Sequence, residues 1–389
     1  MSDVLFIGKS AFPNDSASAV RVYTLAKLFS VLGFTPYLVG IDSMISEDRL
    51  IKNGQYHEFE FYNISVVSKH PLDVIGINCI VKKETEKLIA ERNVKYIVVT
   101  CLEGVRLTAV LSVAKKHKIP VIGDIVEWYD RGDFHGIRNF IKLLRNRITL
   151  VYLNPKIKNI LAISSLLGDY YTCKKCNVQI IPSIIDKNEY SENVFCRKHN
   201  DDIVFAYAGS PGTKDSVVNF ISAAARLSSS GVKNFKIKLF GTTKDNLLRL
   251  GCLQGELDEL GDMLVCSSHI PHGQVKVEIS KADFTLLVRP DRRSSHAGFP
   301  TKLSESFACG TPVIANLTSD IGLYLHDNEN SVICQSNSTE ECKTAIEKIL
   351  LMSDEHLASM KIAAKNTSKR FDYLAFKDKL QLFLSRIEK

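Results

Sequence analysis

Short apolar runs that alternate with helix-period segments set what this chain of 389 residues can fold into. Residues 4–8 (VLFIG) read as a buried strand. Beyond a polar loop, residues 17–32 place Val20, Thr24, Leu28 and Val31 on one helical face, and Gly33 stops the helix. The pattern then predicts a strand over 36–40, a helix over 84–92, a strand over 94–100, a helix over 107–117 and a strand over 119–125. The second half repeats the style. Strands are expected over 203–208, 235–240, 264–266, 284–288 and 312–316, with helices over 217–227, near Asn246, over 275–280 and over 302–309. Strands that alternate with helices imply a parallel sheet covered on both faces, hence the α/β class.

The polar stretch 186–202 follows the strand-like run 178–182 and reads as a linker. The chain therefore divides into two Rossmann-like, doubly wound domains, 1–185 and 186–370. A final amphipathic segment, 371–389, is expected to pack back on the first domain. Such sheets take ligands outside the carboxyl ends of their strands, so two of them are expected to face across a cleft.

Hydrophobic residues make up 45% and charged residues 24%, which excludes a disordered, collagenous or coiled-coil chain. No apolar run approaches the roughly 20 residues of a membrane-spanning helix. The start, with Asp3 leading straight into a strand, lacks the basic region of a secretory signal. The ten cysteines are scattered singly and suit free thiols in a reducing cytoplasm. The net charge of +7 is modest, and six of those seven charges precede residue 191. No nucleic-acid partner is called for, although the first half suits anionic partners or membrane surfaces.

The first strand ends at Gly8 and leads into KSAFPNDSASA. A dinucleotide fingerprint needs three spaced glycines, and only one is present. What remains is a small-residue loop with Asn14, Asp15 and Ser16, of which Asp15 or Ser16 caps the next helix. It is either a plain cap or a phosphate or acceptor loop. In FAYAGSPGTKDSVVNF, a strand ends at Gly209 and Lys214 stands beside a helix that begins near Asp215, a position suited to a diphosphate. In LLVRPDRRSSHAGFPTKLSESFACGTPVIAN, a strand delivers Arg289, a loop carries Gly298 and Phe299, and Pro300-Thr301-Lys302-Leu303 opens a helix. Glu305 lies one turn along, where it complements the helix dipole or accepts two ribose hydroxyls.

At these segments the sequence resembles the GT-B glycosyltransferases, specifically family 4, over nearly its full length and in a branch with a GFPTK-x-x-E donor loop. The resemblance implies that the second domain holds a nucleotide sugar and the first faces the acceptor. Glu305 would hold the ribose and Lys214 the diphosphate. The loop Gly298, Phe299, Pro300, Thr301, Lys302, Leu303 would meet the phosphates, and the turn at Ile270 and His272 the base. Two positions depart from the family pattern. The first glutamate of Glu-x7-Glu falls on Ala297, and the arginine after Gly209 falls on Ser210. Arg289 or Arg292 is expected to supply the missing charge. No DxD pair is present, so no metal or other cofactor is expected. Lys214, Lys302 and Arg289 would stabilise the leaving diphosphate. In VIGDIVEWYDRGDF, Glu127 is the expected group facing acceptor or sugar, unless it only pairs with Arg131.

The expected activity is retaining transfer of a hexose from a nucleoside diphosphate sugar to a saccharide. The acceptor is expected to be lipid-linked, in surface polysaccharide assembly at the inner face of the cell membrane. A nucleotide-sugar 2-epimerase and a non-catalytic nucleotide- or glycan-binding protein are the alternatives. Residues 134–147 interleave apolar and basic side chains, which fits a peripheral membrane helix or an ordinary helix with a solvated basic face.

Overall fold

The computed structural model describes every residue except 1, 10, 15, 43–49, 67–72, 130–136, 198–200, 213, 269 and 389. The chain forms two compact units. One comprises Met1–Ile184 with Tyr373–Lys389, and the other Ile185–Asp372.

The first unit is built on β1 (Ser2–Gly8), β2 (Phe34–Asp42), β3 (Asn53–Tyr56), β4 (Phe59–Ser65), β5 (Val94–Thr100), β6 (Val121–Ile125), β7 (Asn159–Ala162) and β8 (Asn177–Ile180). Their order across the sheet is β3-β4-β2-β1-β5-β6-β7-β8. All pairs are parallel except the β3–β4 edge. Val4, Phe6, Val98 and Ile122 are buried together with Leu25, Leu28 and Phe29 of the helix Ala17–Ser30. Phe376, Leu380 and Phe383 of the C-terminal segment join the same core. Glu388 fixes its end by pairing with Lys95 at 2.6 Å and accepting from the Tyr96 hydroxyl at 2.8 Å.

The second unit carries β9 (Ile203–Ala208), β10 (Phe235–Phe240), β11 (Leu264–Ser267), β12 (Phe284–Leu287), β13 (Val313–Asn316) and β14 (Ser331–Cys334). All run parallel, in the order β11-β10-β9-β12-β13-β14. Phe205, Phe220, Phe235, Phe284 and Ile314 are wholly buried at its centre. The fold is GT-B, α/β with parallel sheets. In each unit the strand order reverses beside the first strand: between β1 and β5, and between β9 and β12. Those switch points are where doubly wound sheets place ligands.

The apolar runs account for β5, β9 and β10 residue for residue. The helix expected over 84–92 starts earlier and spans Asp73–Glu91. The helix expected near Asp215 begins at Val217. Ser16 is the cap of the first helix, its hydroxyl accepting from the Ala19 amide; Asp15 lies outside the described residues.

Candidate functional site

At the second switch point the turns after β9 and β10 pack backbone on backbone. Gly209 has φ of +135° and Gly241 φ of +93°, and a side chain at Gly241 would lie 2.8 Å from the Gly209 carbonyl oxygen. Both positions therefore require glycine. The loop after Gly209 is tied to the end of β12 by the Ser216 amide, which donates to the Val288 carbonyl at 2.8 Å.

This closure sets Asp215 against cations from distant sequence. Its Oδ2 accepts from Lys302 Nζ at 2.6 Å and from the Tyr207 hydroxyl at 2.8 Å, and Arg289 Nε lies 3.8 Å from Oδ1. Burial by itself would raise this carboxyl, yet Lys302, Tyr207 and Arg289 together hold it below its ordinary value. Arg289 is buried. Its Nη1 donates to the Ser295 carbonyl at 3.2 Å, and its amide donates to Asn316 at 2.7 Å. Lys302 Nζ also stands 4.5 Å over the Tyr207 ring.

Lys302 belongs to the helix Thr301–Ala308, with Pro300 at its cap. Leu303 and Phe307 anchor its inner face in the core. The first N–H groups of the helix present positive potential, and the Leu303 amide already donates to the Pro300 carbonyl at 3.2 Å. One turn on, Glu305 lines a recess together with Lys302, Lys276 and the apolar Val275, Ile279 and Leu286. Burial pushes the Glu305 carboxyl up to about 7, against the pull of Lys276 and Lys302 and with help from Glu189. Lys276 pairs with Glu189 at 2.8 Å and stands 4.4 Å over the Tyr190 ring. Burial first, then Glu305, drives the Tyr190 hydroxyl well above its ordinary value. A carboxyl at one end and an ammonium beside a helix start at the other suit a ligand with hydroxyl donors and an anionic group.

The expected residues thus divide. Gly209, Arg289, Lys302 and Glu305 come together, and Thr301 and Pro300 lie at the helix start. Lys214 is half-buried, one residue before Asp215, and Ser210 is exposed. The Phe299 ring is buried against Tyr324 and Phe371, both at 5.8 Å, so it anchors the loop and leaves its backbone for a ligand. Leu303 is likewise buried, and its amide donates to the Pro300 carbonyl at 3.2 Å. Gly298 closes the short helix Arg293–Ala297, and Ala297 is wholly buried. His296 holds this loop: Nδ1 accepts from the Ser319 amide at 3.2 Å, and Nε2 donates to Asp291 at 2.6 Å. Ile270 packs against the buried cluster of Ala206, Phe240, Ile279, Ala282 and Cys309, and His272 opens the helix His272–Lys281.

In the first unit Glu127 follows β6 and accepts from the Tyr129 hydroxyl. Arg131, its alternative partner, lies outside the described residues. Asn14 turns its own loop, its Nδ2 donating to the Ala11 carbonyl and its Oδ1 accepting from the Ser16 amide at 3.0 Å. Residues 134–136 are outside the description; the remainder of that segment forms the helix Ile137–Ile148.

Sequence reasoning passed over Asp215, Tyr207, Lys276 and Tyr190 as site residues. An acid directly after Lys214, between a strand end and a helix start, was the available sign for Asp215. Nothing local marks the other three.

The fold and this site define a two-unit GT-B protein whose second unit holds a recess with apolar walls, Glu305 and two lysines. Residues 192–367 match the family described as glycosyl transferases group 1, a span inside the second unit and a little under half of the chain. The chain thus carries a glycosyl transferases group 1 domain, and its enzyme class is that of a glycosyltransferase. No curated protein matches the sequence. Among solved structures, sucrose-phosphate synthase from Thermosynechococcus elongatus is similar at 13% identity and a TM-score of 0.76, over 100% of this chain and 99% of that one. HepE from Anabaena, solved with UDP and glucose, is similar at 13% identity and 0.72, over 99% and 100%. Trehalose 6-phosphate synthase from Burkholderia multivorans is similar at 8% identity and 0.69, over 100% and 99%.

Proposed function

We propose that this protein moves a hexose from a nucleoside diphosphate sugar to a saccharide acceptor, with retention of configuration. The observation that carries the reading is Glu305 and Lys302 on one helix, facing one recess beside the end of β9, within the segment that matches group 1 glycosyltransferases. A uridine nucleotide is the first candidate, because the solved HepE structures hold UDP and UDP-glucose.

In this reading the ionised Glu305 accepts from the two ribose hydroxyls, and Ile270 and His272 bound the base. The diphosphate lies against the helix start at Thr301 and Lys302, within reach of Lys214 and Lys302. The bond from the anomeric carbon to the diphosphate oxygen breaks, and a bond to the acceptor hydroxyl forms on the same face. The hydroxyl proton passes to the departing phosphate. Negative charge grows on the diphosphate, and each preorganised donor there is worth about 3 kcal/mol, or roughly 10²–10³ in rate. Arg289 acts through Asp215, which it helps hold against Lys302. The charge is met by side chains and amides without a metal. Glu127 in the first unit faces the acceptor or the transferred sugar. The acceptor is a saccharide on a lipid carrier, in surface polysaccharide assembly at the inner face of the membrane.

The test is incubation of the purified protein with UDP-hexoses, with and without lipid-linked saccharide, followed by product analysis. UDP release that depends on acceptor, with a new glycosidic bond, is expected. Conversion of the donor alone would make the protein an epimerase, and nucleotide binding without any product would make it a binding module.

A further inference from the structure

Four large apolar side chains stand exposed within twelve residues of the first unit. Ile141 is 60% exposed, Leu144 49%, Ile148 44% and Tyr152 66%. They follow one another at helical spacing along the helix Ile137–Ile148 and the wider turn Thr149–Leu153, and so form one stripe. The stripe runs past the segment whose sequence suggested an amphipathic helix.

The opposite face explains why this one is left outside. Asn146 Nδ2 donates to Glu103 at 2.9 Å, Thr149 Oγ1 accepts from the Gly104 amide at 3.2 Å, and Leu150 is buried. These contacts fix the helix to its unit and turn Ile141, Leu144 and Ile148 to solvent. Single exposed apolar side chains are ordinary, but a contiguous stripe marks a contact surface.

Charge identifies the partner. Residues 137–158 contain six Lys or Arg and no Asp or Glu. Arg145 is held by Glu103 at 3.0 Å, whereas Arg147, Lys156 and Lys158 are exposed. Tyr170, an aromatic group that favours a lipid interface, neighbours Tyr152 at the stripe's end and meets Trp128 edge-on at 4.7 Å. Among the described residues no helix is long and apolar enough to cross a membrane. An apolar stripe bordered by exposed basic side chains is the composition of a helix lying in an interface plane.

We propose that Ile141, Leu144, Ile148 and Tyr152, bordered by Arg147 and Lys156, seat the first unit on an anionic lipid surface. Vesicle binding needs no nucleotide, so its failure is separate from any failure of the donor-site reading.

The experiment is flotation of the full chain with two kinds of vesicle. One is pure phosphatidylcholine; the other holds phosphatidylglycerol at roughly one part in three, an anionic surface. The protein is expected to float with the anionic vesicles, to stay down with the neutral ones, and to release at high salt. Leu144→Ser with Ile148→Ser should lower binding at least about ten-fold, because two side chains no longer bury. Arg147→Gln and Lys156→Gln should each lower it about five-fold. All variants should keep the parent melting temperature, since the changed groups are exposed. Equal flotation with neutral vesicles, no flotation with either, or unaltered binding by the variants would overturn the proposal. So would a dimer in sedimentation that Leu144→Ser with Ile148→Ser dissociates, which would make the face a contact between two copies.

Discussion

In the first unit Arg21 and Asp124 meet at 2.7 Å with only 4% and 0% of their side chains exposed. Four of the five guanidinium N–H groups are engaged: Nε and Nη2 donate to Asp124, Nη2 also donates to the Ile181 carbonyl at 3.1 Å, and Nη1 donates to the Pro182 carbonyl at 2.8 Å. Asp124 also accepts from Thr100 at 3.2 Å. In the second unit the ion pair beside the switch point is Asp215 with Lys302, exposed by 12% and 25%. There one carboxylate is shared by Lys302 and Tyr207, with Arg289 close by, and the ammonium borders an open recess. Both pairs lie where the strand order reverses or beside it. The first is closed on itself and holds β6 to the first helix. The second keeps a cation poised at a surface that a ligand can reach. An ion pair at a switch point is thus structural or functional according to whether its partners leave a face open.

The comparison breaks most visibly at Asp124. Asp124→Ala leaves Arg21 buried without its counter-charge, and a loss of about 3–5 kcal/mol in denaturant unfolding is expected. A loss typical of a surface change would mean the pair is not closed as described. Lys302→Ala is the counterpart in the open pair. It should lower turnover by roughly 10²–10³ while moving the melting temperature little, because the group is partly exposed. Parallel losses of stability and turnover would make Lys302 structural like Arg21.

A smaller effect sharpens the chemistry of the recess. Glu305 in the empty protein holds its proton up to about 7, above the ordinary carboxyl range it has in the unfolded chain. The folded state therefore binds more protons through that window, and this group's contribution to stability falls as the pH rises toward 7. Ribose hydroxyls prefer the ionised form, so affinity for UDP-glucose, whose phosphates do not titrate there, should rise with pH. About ten-fold tighter binding is expected from about pH 6 to about pH 8, and a flat profile in Glu305→Gln. A sloping profile in that variant would assign the titration to another group. The smallest effect is expected for Tyr207→Phe. It removes one donor to Asp215 and should cost about 1–2 kcal/mol of stability with a modest fall in turnover; no change in either would show that Lys302 alone holds the carboxylate.

Much of the architecture was legible because buried parallel strands are written as continuous apolar runs, as in 94–100, 203–208 and 235–240. The edge was not: β3 is polar and mostly exposed, so its residues carry no alternation to read. In the site, Lys302 and Glu305 were legible because a strand, a loop with Pro300 and a helix start lie within one short segment. Asp215 was read only as part of a helix start. Its role depends on Lys302, which is 87 residues away, and on a loop closure between two glycines that only packing reveals. Lys276 and Tyr190 belong to helix and linker segments whose local pattern says nothing of Glu305. The burial of the Phe299 ring was not legible either, because its motif position says nothing of which way the ring turns.

The central claim is that the recess beside Glu305 is the nucleotide site. The most direct measurement is calorimetric titration of UDP, GDP and ADP into the protein and into Glu305→Ala, with the melting temperature of both recorded. One diphosphate should bind the parent, and the variant should bind it about 10- to 100-fold more weakly, the loss of roughly 1.5–3 kcal/mol in charged hydrogen bonds, while remaining folded. Unchanged affinity in a folded variant would contradict the account and move the nucleotide elsewhere.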